Sequence, residues 1–265
     1  MKVFKKTKWL LLIIFLFIVT PVYSYVIDGD VSDWGIDLLA SGADEKGYLD
    51  ENLPSGGWDI DYVTEDNADI NKNPARNDYW WEVGPGWSWY NYFDVEAIYF
   101  DNDSNYAYIA IVQGLPEYGV DPPYNTVDDN LHYVFKPGDI AIDVGSDGSY
   151  EYGVDIDSGI LYKDVTWQDA IYYFPEANPW AIESGTVIGN VSLAYSRQNS
   201  HYVIETAIPL SYLGLNAGGH LTIHWTMECG NDYLNLDATV VPEPATLLLL
   251  GTGLIAFGIS RRKKT

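Results

Sequence analysis

From residue 94 to residue 227 the apolar positions recur at every second residue, the spacing of a half-buried strand rather than a helix. Val95, Ala97 and Tyr99 alternate with Glu96, Ile98 and Phe100, and Ala107, Ile109 and Ile111 share one face of the run that follows. Asp101-Asn102-Asp103-Ser104-Asn105 lies between them, so the pattern predicts a hairpin with a five-residue turn. Ile140, Ile142 and Val144 predict a short strand. Tyr150, Tyr152, Val154 and Ile156 predict a second, with Glu151, Gly153, Asp155 and Asp157 opposite, and Ser158-Gly159 turns the chain into Ile160-Leu161-Tyr162-Lys163. Val187, Val191, Leu193 and Tyr195 read as one strand, and Tyr202, Ile204, Thr206 and Ile208 as its partner through a turn at 197–200. Pro209 to Gly214 suggests one helical turn. Leu221, Ile223, Trp225 and Met227 point inward in the last strand of the series, with His220, Thr222, His224 and Thr226 pointing out. No long stretch with a period of 3.6 occurs between residues 25 and 240. Many short strands with turn punctuation predict an all-β fold, an antiparallel β-sandwich of jelly-roll type with long aromatic loops.

Two continuous apolar runs flank this body. Lys2, Lys5, Lys6 and Lys8 precede an apolar run over residues 9–20, with the small residues Val22 and Ser24 behind it. That is the layout of a secretory signal peptide over residues 1–24, a substrate of signal peptidase. At the other end, Val241-Pro242-Glu243-Pro244 leads into an uncharged segment, residues 245–260, closed by Arg261, Arg262, Lys263 and Lys264. The prolines hold their neighbours extended and open to an enzyme. A helix over 245–260 is about 24 Å long, against a bilayer core of about 30 Å, and Gly251, Gly253 and Gly258 are tolerated in lipid. The segment predicts a transmembrane helix with its basic tail in the cytoplasm. It reads as a plain anchor or as a sorting signal whose apolar part is later removed. The organisation expected is residues 1–24 as signal peptide, 25–240 as exported domain and 241–265 as sorting signal, with helices only at the two ends.

Charge sharpens this picture. The exported part keeps 6 of 14 Lys and Arg and 37 of 38 Asp and Glu, a net charge near −31. Such a surface repels nucleic acid and anionic lipid, and excludes DNA and RNA as partners. With Cys229 as its one cysteine the chain has no internal disulfide. Cys229 follows Met227 in an alternating run and reads as a buried thiol.

Candidate chemistry is sparse. Asp28, Asp30 and Asp33 fall within six residues, and Asp101, Asp103 and Asn105 have the spacing of the first half of a calcium loop. Calcium is therefore the one candidate cofactor, although the glycine and glutamate that complete the helical calcium motif are missing and turn chemistry explains both clusters. Residues 41–93 show little periodicity but hold Trp80, Trp81, Trp87 and Trp89 among Asp, Asn and Glu, the mixture of flat rings and polar groups that stacks on sugars; the same rings can equally form a small second core. Residues 165–179 form a second aromatic stretch. His220 and His224 are about 13 Å apart along an ideal strand, too far for one ion, and read as a solvated face. No nucleophile motif, zinc-protease motif or phosphate loop is present, so the expectation is a protein that is not an enzyme.

The tail, taken as Val-Pro-Glu-Pro, a short apolar helix and an Arg/Lys cluster, resembles a PEP-CTERM sorting domain. The resemblance implies a Gram-negative bacterium, export across the inner membrane, a transient membrane-anchored form, and cleavage by an exosortase, a membrane-embedded cysteine transpeptidase. Pro242, Glu243 and Pro244 are then substrate residues, and the product goes to the cell surface or extracellular matrix. Ile27-Asp28-Gly29 with Trp34, the 97–114 hairpin, and Glu205-Thr206-Ala207-Ile208-Pro209-Leu210 are similar to family 9 carbohydrate-binding modules and related DOMON-like sandwiches, which implies aromatic stacking on sugars and structural calcium. The middle region also resembles a group of PEP-CTERM proteins with blocks like Gly138-Asp139-Ile140-Ala141-Ile142-Asp143 and Gly230-Asn231-Asp232. The function expected is that of an exported surface or matrix protein contacting extracellular polysaccharide; the alternatives are a purely structural matrix component and, behind it, a glycan-active enzyme.

Overall fold

Alternating apolar positions become strands of two antiparallel sheets. The computed structural model describes residues 25–43, 47–57, 59–64, 91–120, 134–171, 175–230 and 232–242. The strands are β1 (Asp61–Thr64), β2 (Val95–Asn102), β3 (Tyr106–Gln113), β4 (Ile140–Val144), β5 (Tyr152–Asp155), β6 (Ile160–Gln168), β7 (Ala181–Asn190), β8 (Ser192–Gln198), β9 (His201–Pro209), β10 (His220–Thr226) and β11 (Tyr233–Thr239). Single helical turns occur at α1 (Tyr48–Glu51) and α2 (Leu210–Leu213). One sheet has the order β1-β2-β3-β9-β8 and the other β11-β10-β4-β5-β6-β7. One compact unit spans Ser24–Val241. Among the described residues no helix is long and apolar enough to cross a membrane; the expected signal helix and the tail from residue 243 on lie outside them.

The connectivity corrects the jelly-roll expectation. In a jelly roll successive strands cross between the sheets. Here β2–β3, β8–β9 and β10–β11 are hairpins and β4 to β7 a meander, and each of these groups stays within one sheet. The single expected strand through Val187 and Tyr195 is two strands. The chain leaves the six-stranded sheet at Asn190 and enters the five-stranded one at Ser192, while Val191 N–H donates to Gly159 O (2.8 Å). The inward-facing side chains change parity here: Ile188 packs on the main core while Val187 is exposed, and Val191, Leu193 and Tyr195 then face inward. β1 and β11 were not anticipated, and β6 runs on to Gln168, which puts Trp167 on a strand rather than in a loop.

The main core lies between the sheets. Ile98, Phe100, Ile109, Ile111, Ile204 and Ile208 of one sheet share it with Ile140, Ile142, Val154, Leu161, Ile223 and Trp225 of the other. Burial of these rows against each other is the chief source of stability in a domain without disulfides. The five-stranded sheet is buried on its second face too. Tyr25, Val31, Trp34, Ile36, Leu38 and Leu49 pack over Ala97, Tyr99, Ala110, Val112, Val203 and Ala207. The alanines leave room for large rings to lie close to the sheet, and Tyr25 stacks on Trp34 with centroids 3.9 Å apart. β3 (Tyr-Ala-Tyr-Ile-Ala-Ile-Val-Gln) is nearly continuous in apolar residues, as a strand covered on both sides must be.

Candidate functional site

The N-terminal cover is fastened by one carboxylate. Asp30 accepts from Ser32 N–H (2.9 Å) and so caps a short 3₁₀ helix, Val31–Trp34, which turns the Trp34 indole toward the sheet. Trp34 Nε1 donates to Glu205 Oε1 (2.9 Å), while Gly29 N–H (2.7 Å) and Asp28 N–H (3.2 Å) donate to Glu205 Oε2. Both sequence motifs that suggested the carbohydrate-module likeness therefore meet at Glu205, which is fully buried on β9. Burial pushes its carboxyl up to about 7, against the pull of these donors. Gly29 has φ +78° and a Cβ there would sit 2.3 Å from Ser196 Cβ. Gly29→Ala therefore meets both backbone strain and a clash, and should cost about 3 kcal/mol, read as a lower urea midpoint with an unchanged slope.

Neighbouring polar groups serve the same cover. Between Val95 and Ala97 a β-bulge adds one residue to β2 and turns Glu96 to the covered face. Buried His201 has Nδ1 2.8 Å from Glu96 Oε1 and Nε2 3.2 Å from Ala43 O. Both ring nitrogens thus lie beside oxygens of the cover and of β2.

The aspartate clusters do local work. Asp28 Oδ1 accepts from Asp30 N–H (3.0 Å), and Asp33 Oδ2 accepts from Val26 N–H (2.8 Å). Asp103 Oδ1 accepts from the N–H groups of Asn105 and Tyr106 (2.7 Å each), closing the β2–β3 turn, and Tyr108 OH donates to its other oxygen (2.7 Å). Asp101 accepts from Tyr25 OH (2.6 Å) and from Asn102 N–H (2.7 Å); burial raises its carboxyl above the usual range. Among the described residues no three His, Cys, Asp or Glu side chains are grouped to hold a metal. A calcium loop and an Asx turn share their sequence spacing because both need short side chains with free lone pairs. Here Asp28, Asp30, Asp33, Asp101 and Asp103 each accept from at least one backbone N–H group.

The three histidines among the described residues are dispersed. His201 belongs to the five-stranded sheet, whereas His220 and His224 share β10 in the other. His220 is exposed as expected. His224 is not on a solvated face: it is fully buried, with Nδ1 2.7 Å from Asn235 Oδ1. Burial lowers its pKa and favours the neutral ring. The expectation failed because alternation says which face a residue is on, not whether something covers that face.

Of the second aromatic stretch, Trp167 lies on the outer face of the six-stranded sheet; Tyr172, Tyr173 and Phe174 lie outside the described residues. Trp167 lies across Gly153, where a Cβ would come within 2.6 Å of the indole, and its Nε1 donates to Tyr150 O (2.6 Å). Trp167 and Trp180 are both half-buried. Trp80, Trp81, Trp87 and Trp89 lie outside the described residues. Cys229 is buried.

The last described residues run into the sorting tail. β11 is the edge of its sheet, and side chains from the other sheet reach the backbone at its end. Thr239 N–H donates to Asp61 Oδ2 (2.8 Å) and Val241 N–H to Asn102 Oδ1 (2.8 Å), while Asn102 Nδ2 donates to Val241 O (2.9 Å). On the inner side Val240 N–H donates to Gly219 O (2.9 Å) and Gly218 N–H to Val240 O (2.7 Å). Pro242 follows and is exposed; Glu243 and Pro244 lie outside the described residues. Nothing in the sequence singled out Asn102, which reads there as one more turn residue.

A family model described as the PEP-CTERM protein-sorting motif matches residues 240–263. The chain thus carries the sorting signal of exported proteins processed by an exosortase and sent toward the cell surface in Gram-negative bacteria. The match covers the tail and the final residues of the folded body, and leaves the body itself unassigned. A comparison with curated proteins finds no match.

Proposed function

We propose that the body over residues 25–240 is an exported surface or extracellular-matrix module that contacts polysaccharide, released from a 241–265 sorting signal after the signal peptide at 1–24 is removed. The observation that carries the reading is the sorting motif at 240–263 joined to an acidic β-sandwich. The aromatic residues support the polysaccharide part. Trp80, Trp81, Trp87 and Trp89 are the candidate contact residues because flat rings bury sugar C–H groups while neighbouring Asp, Asn and Glu pair with hydroxyls.

The test is retention of the secreted protein on a panel of extracellular polysaccharides, with calcium and with chelator. Wild type is expected to be retained on at least one. Deleting residues 77–90, which spares Tyr92 and Phe93 packed on the main core, is expected to abolish retention while the far-ultraviolet spectrum and thermal midpoint hold. Loss of the fold on deletion would make these rings a second core and favour a purely structural matrix protein. Retention on nothing would remove the glycan reading and leave the sorting assignment standing.

A further inference from the structure

We infer that Asn102 is a positioning residue for the sorting reaction: its grip on Val241 keeps the chain in register up to the residue before Pro242 and confines processing of the folded protein to bonds beyond Val241. The inference rests on exosortase processing and goes past it, to a part of the body that sets where the cut falls.

The argument is one of backbone accounting. A processing enzyme that takes an extended peptide pairs with the backbone N–H and C=O groups of its substrate. From Thr239 N–H to Val241 those groups are held at five points. Thr239 N–H is held by Asp61, both groups of Val240 by the Gly218–Gly219 backbone, and both groups of Val241 by the Asn102 amide. A primary amide presents a donor and an acceptor side by side, so one Asn side chain does for Val241 what a neighbouring strand would do. Asn102 is itself fixed. Its N–H donates to Asp101 Oδ1, Asp101 is held by Tyr25 OH, and its Nδ2 also donates to Asp103 O (3.1 Å). No residue separates Val241 from Pro242, so the recognition motif begins without a spacer where the folded body ends. The first residue past the grip is a proline, which has no N–H to be satisfied. Asn102 thus marks the boundary between protected and available chain.

The experiment uses the full chain in cells that process it, comparing wild type with Asn102→Ala and Asn102→Asp. The readouts are the intact mass of the released protein and, on that same purified protein, cleavage by an added protease within residues 238–242. Wild type is expected to be released with a single C-terminus beyond Val241. Asn102→Ala is expected to give additional termini at or before Val241 and about tenfold faster protease cutting there, the effect of losing two hydrogen bonds. Asn102→Asp keeps an acceptor for Val241 N–H but sets an oxygen against Val241 O; it should behave similarly and serves if the alanine variant does not fold. Asn105→Ala, in the exposed turn, is expected to match wild type. A variant at Asn102 with the wild-type terminus and wild-type protease sensitivity would overturn the inference. Faster protease cutting with an unchanged terminus would confirm the grip but deny its role in sorting, which also overturns it. Wild type recovered with Arg261 to Lys264 still attached would instead mean that the sorting reading has failed, an outcome told apart by the mass of wild type alone.

Discussion

Glu205→Ala is expected to destabilise the body by about 4 kcal/mol, because three N–H donors lose a buried acceptor at about 1–3 kcal/mol each. Asp28, Gly29 and the Trp34 indole would all be left facing the cavity. The first consequence should be release of the N-terminal cover rather than collapse of the sandwich, since the main core between the sheets does not include these groups. Chemical denaturation followed by tryptophan fluorescence, together with hydrogen exchange over residues 25–57, separates the two: a loss under about 1 kcal/mol, or exchange that rises uniformly over all strands, would contradict this role. The same residue gives a pH signature. Its folded carboxyl is raised to about 7 from an ordinary value of 4.5, so folding favours its protonated form. Stability from this group is fully present below about pH 4.5 and is lost as pH rises to about 7, up to about 3 kcal/mol in all. Asp139, pushed up to about 6 by burial while accepting from Ile156 and Ile182 N–H, acts in the same direction over a lower window. His224 works oppositely: its neutral form is favoured, so its contribution is present above about pH 6.5 and is lost on acidification. Wild type should therefore gain thermal stability from pH 8 to pH 6, and Glu205→Gln should flatten that rise.

The second large effect concerns the tail. Replacing Pro242, Glu243 and Pro244 together by alanine is expected to lower processing at least about a hundredfold, as when an enzyme loses the polar and shape contacts that define its substrate. The uncleaved chain should accumulate in the membrane fraction with its basic terminus intact. Fractionation and intact mass read this directly. Release at the wild-type rate would mean that the motif is not what the enzyme recognises.

Much of the sandwich was legible in the chain because period and punctuation agreed. The β2–β3 hairpin has apolar alternation on both sides of a turn closed by Asp103, and Leu221 to Met227 point inward as read. What escaped was whatever depends on partners far along the chain. β11 alternates well, with Leu234, Leu236 and Ala238 buried, but seven residues with three apolar side chains do not announce themselves beside a much more apolar tail. The β7–β8 break escaped because Val187, Val191, Leu193 and Tyr195 share one parity in the sequence, whereas Ile188 is the residue that packs inward on β7 and Val187 is exposed. For the site, Gly29, Trp34 and Glu205 stood out by type, but not the fact that a single carboxylate joins them. Asp28, Asp30, Asp33, Asp101, Asp103 and Asn105 showed their spacing correctly, and only the backbone around them distinguishes a turn from a cation loop.

The link from Asp28 and Gly29 to Glu205 also sets a timetable. It joins positions 177 and 176 residues apart, and a chain exported from its N-terminus delivers the first of these long before the second. Until β9 has emerged, Tyr25, Val31 and Trp34 have no finished sheet to cover, and they remain open to holding factors or to aggregation. Asn102 likewise waits for Val241, the residue just before Pro242. The body can complete its fold only when translocation has nearly ended, so arrival of the tail and closure of the domain coincide, and a mutation that slows closure should be felt first as a defect in secretion.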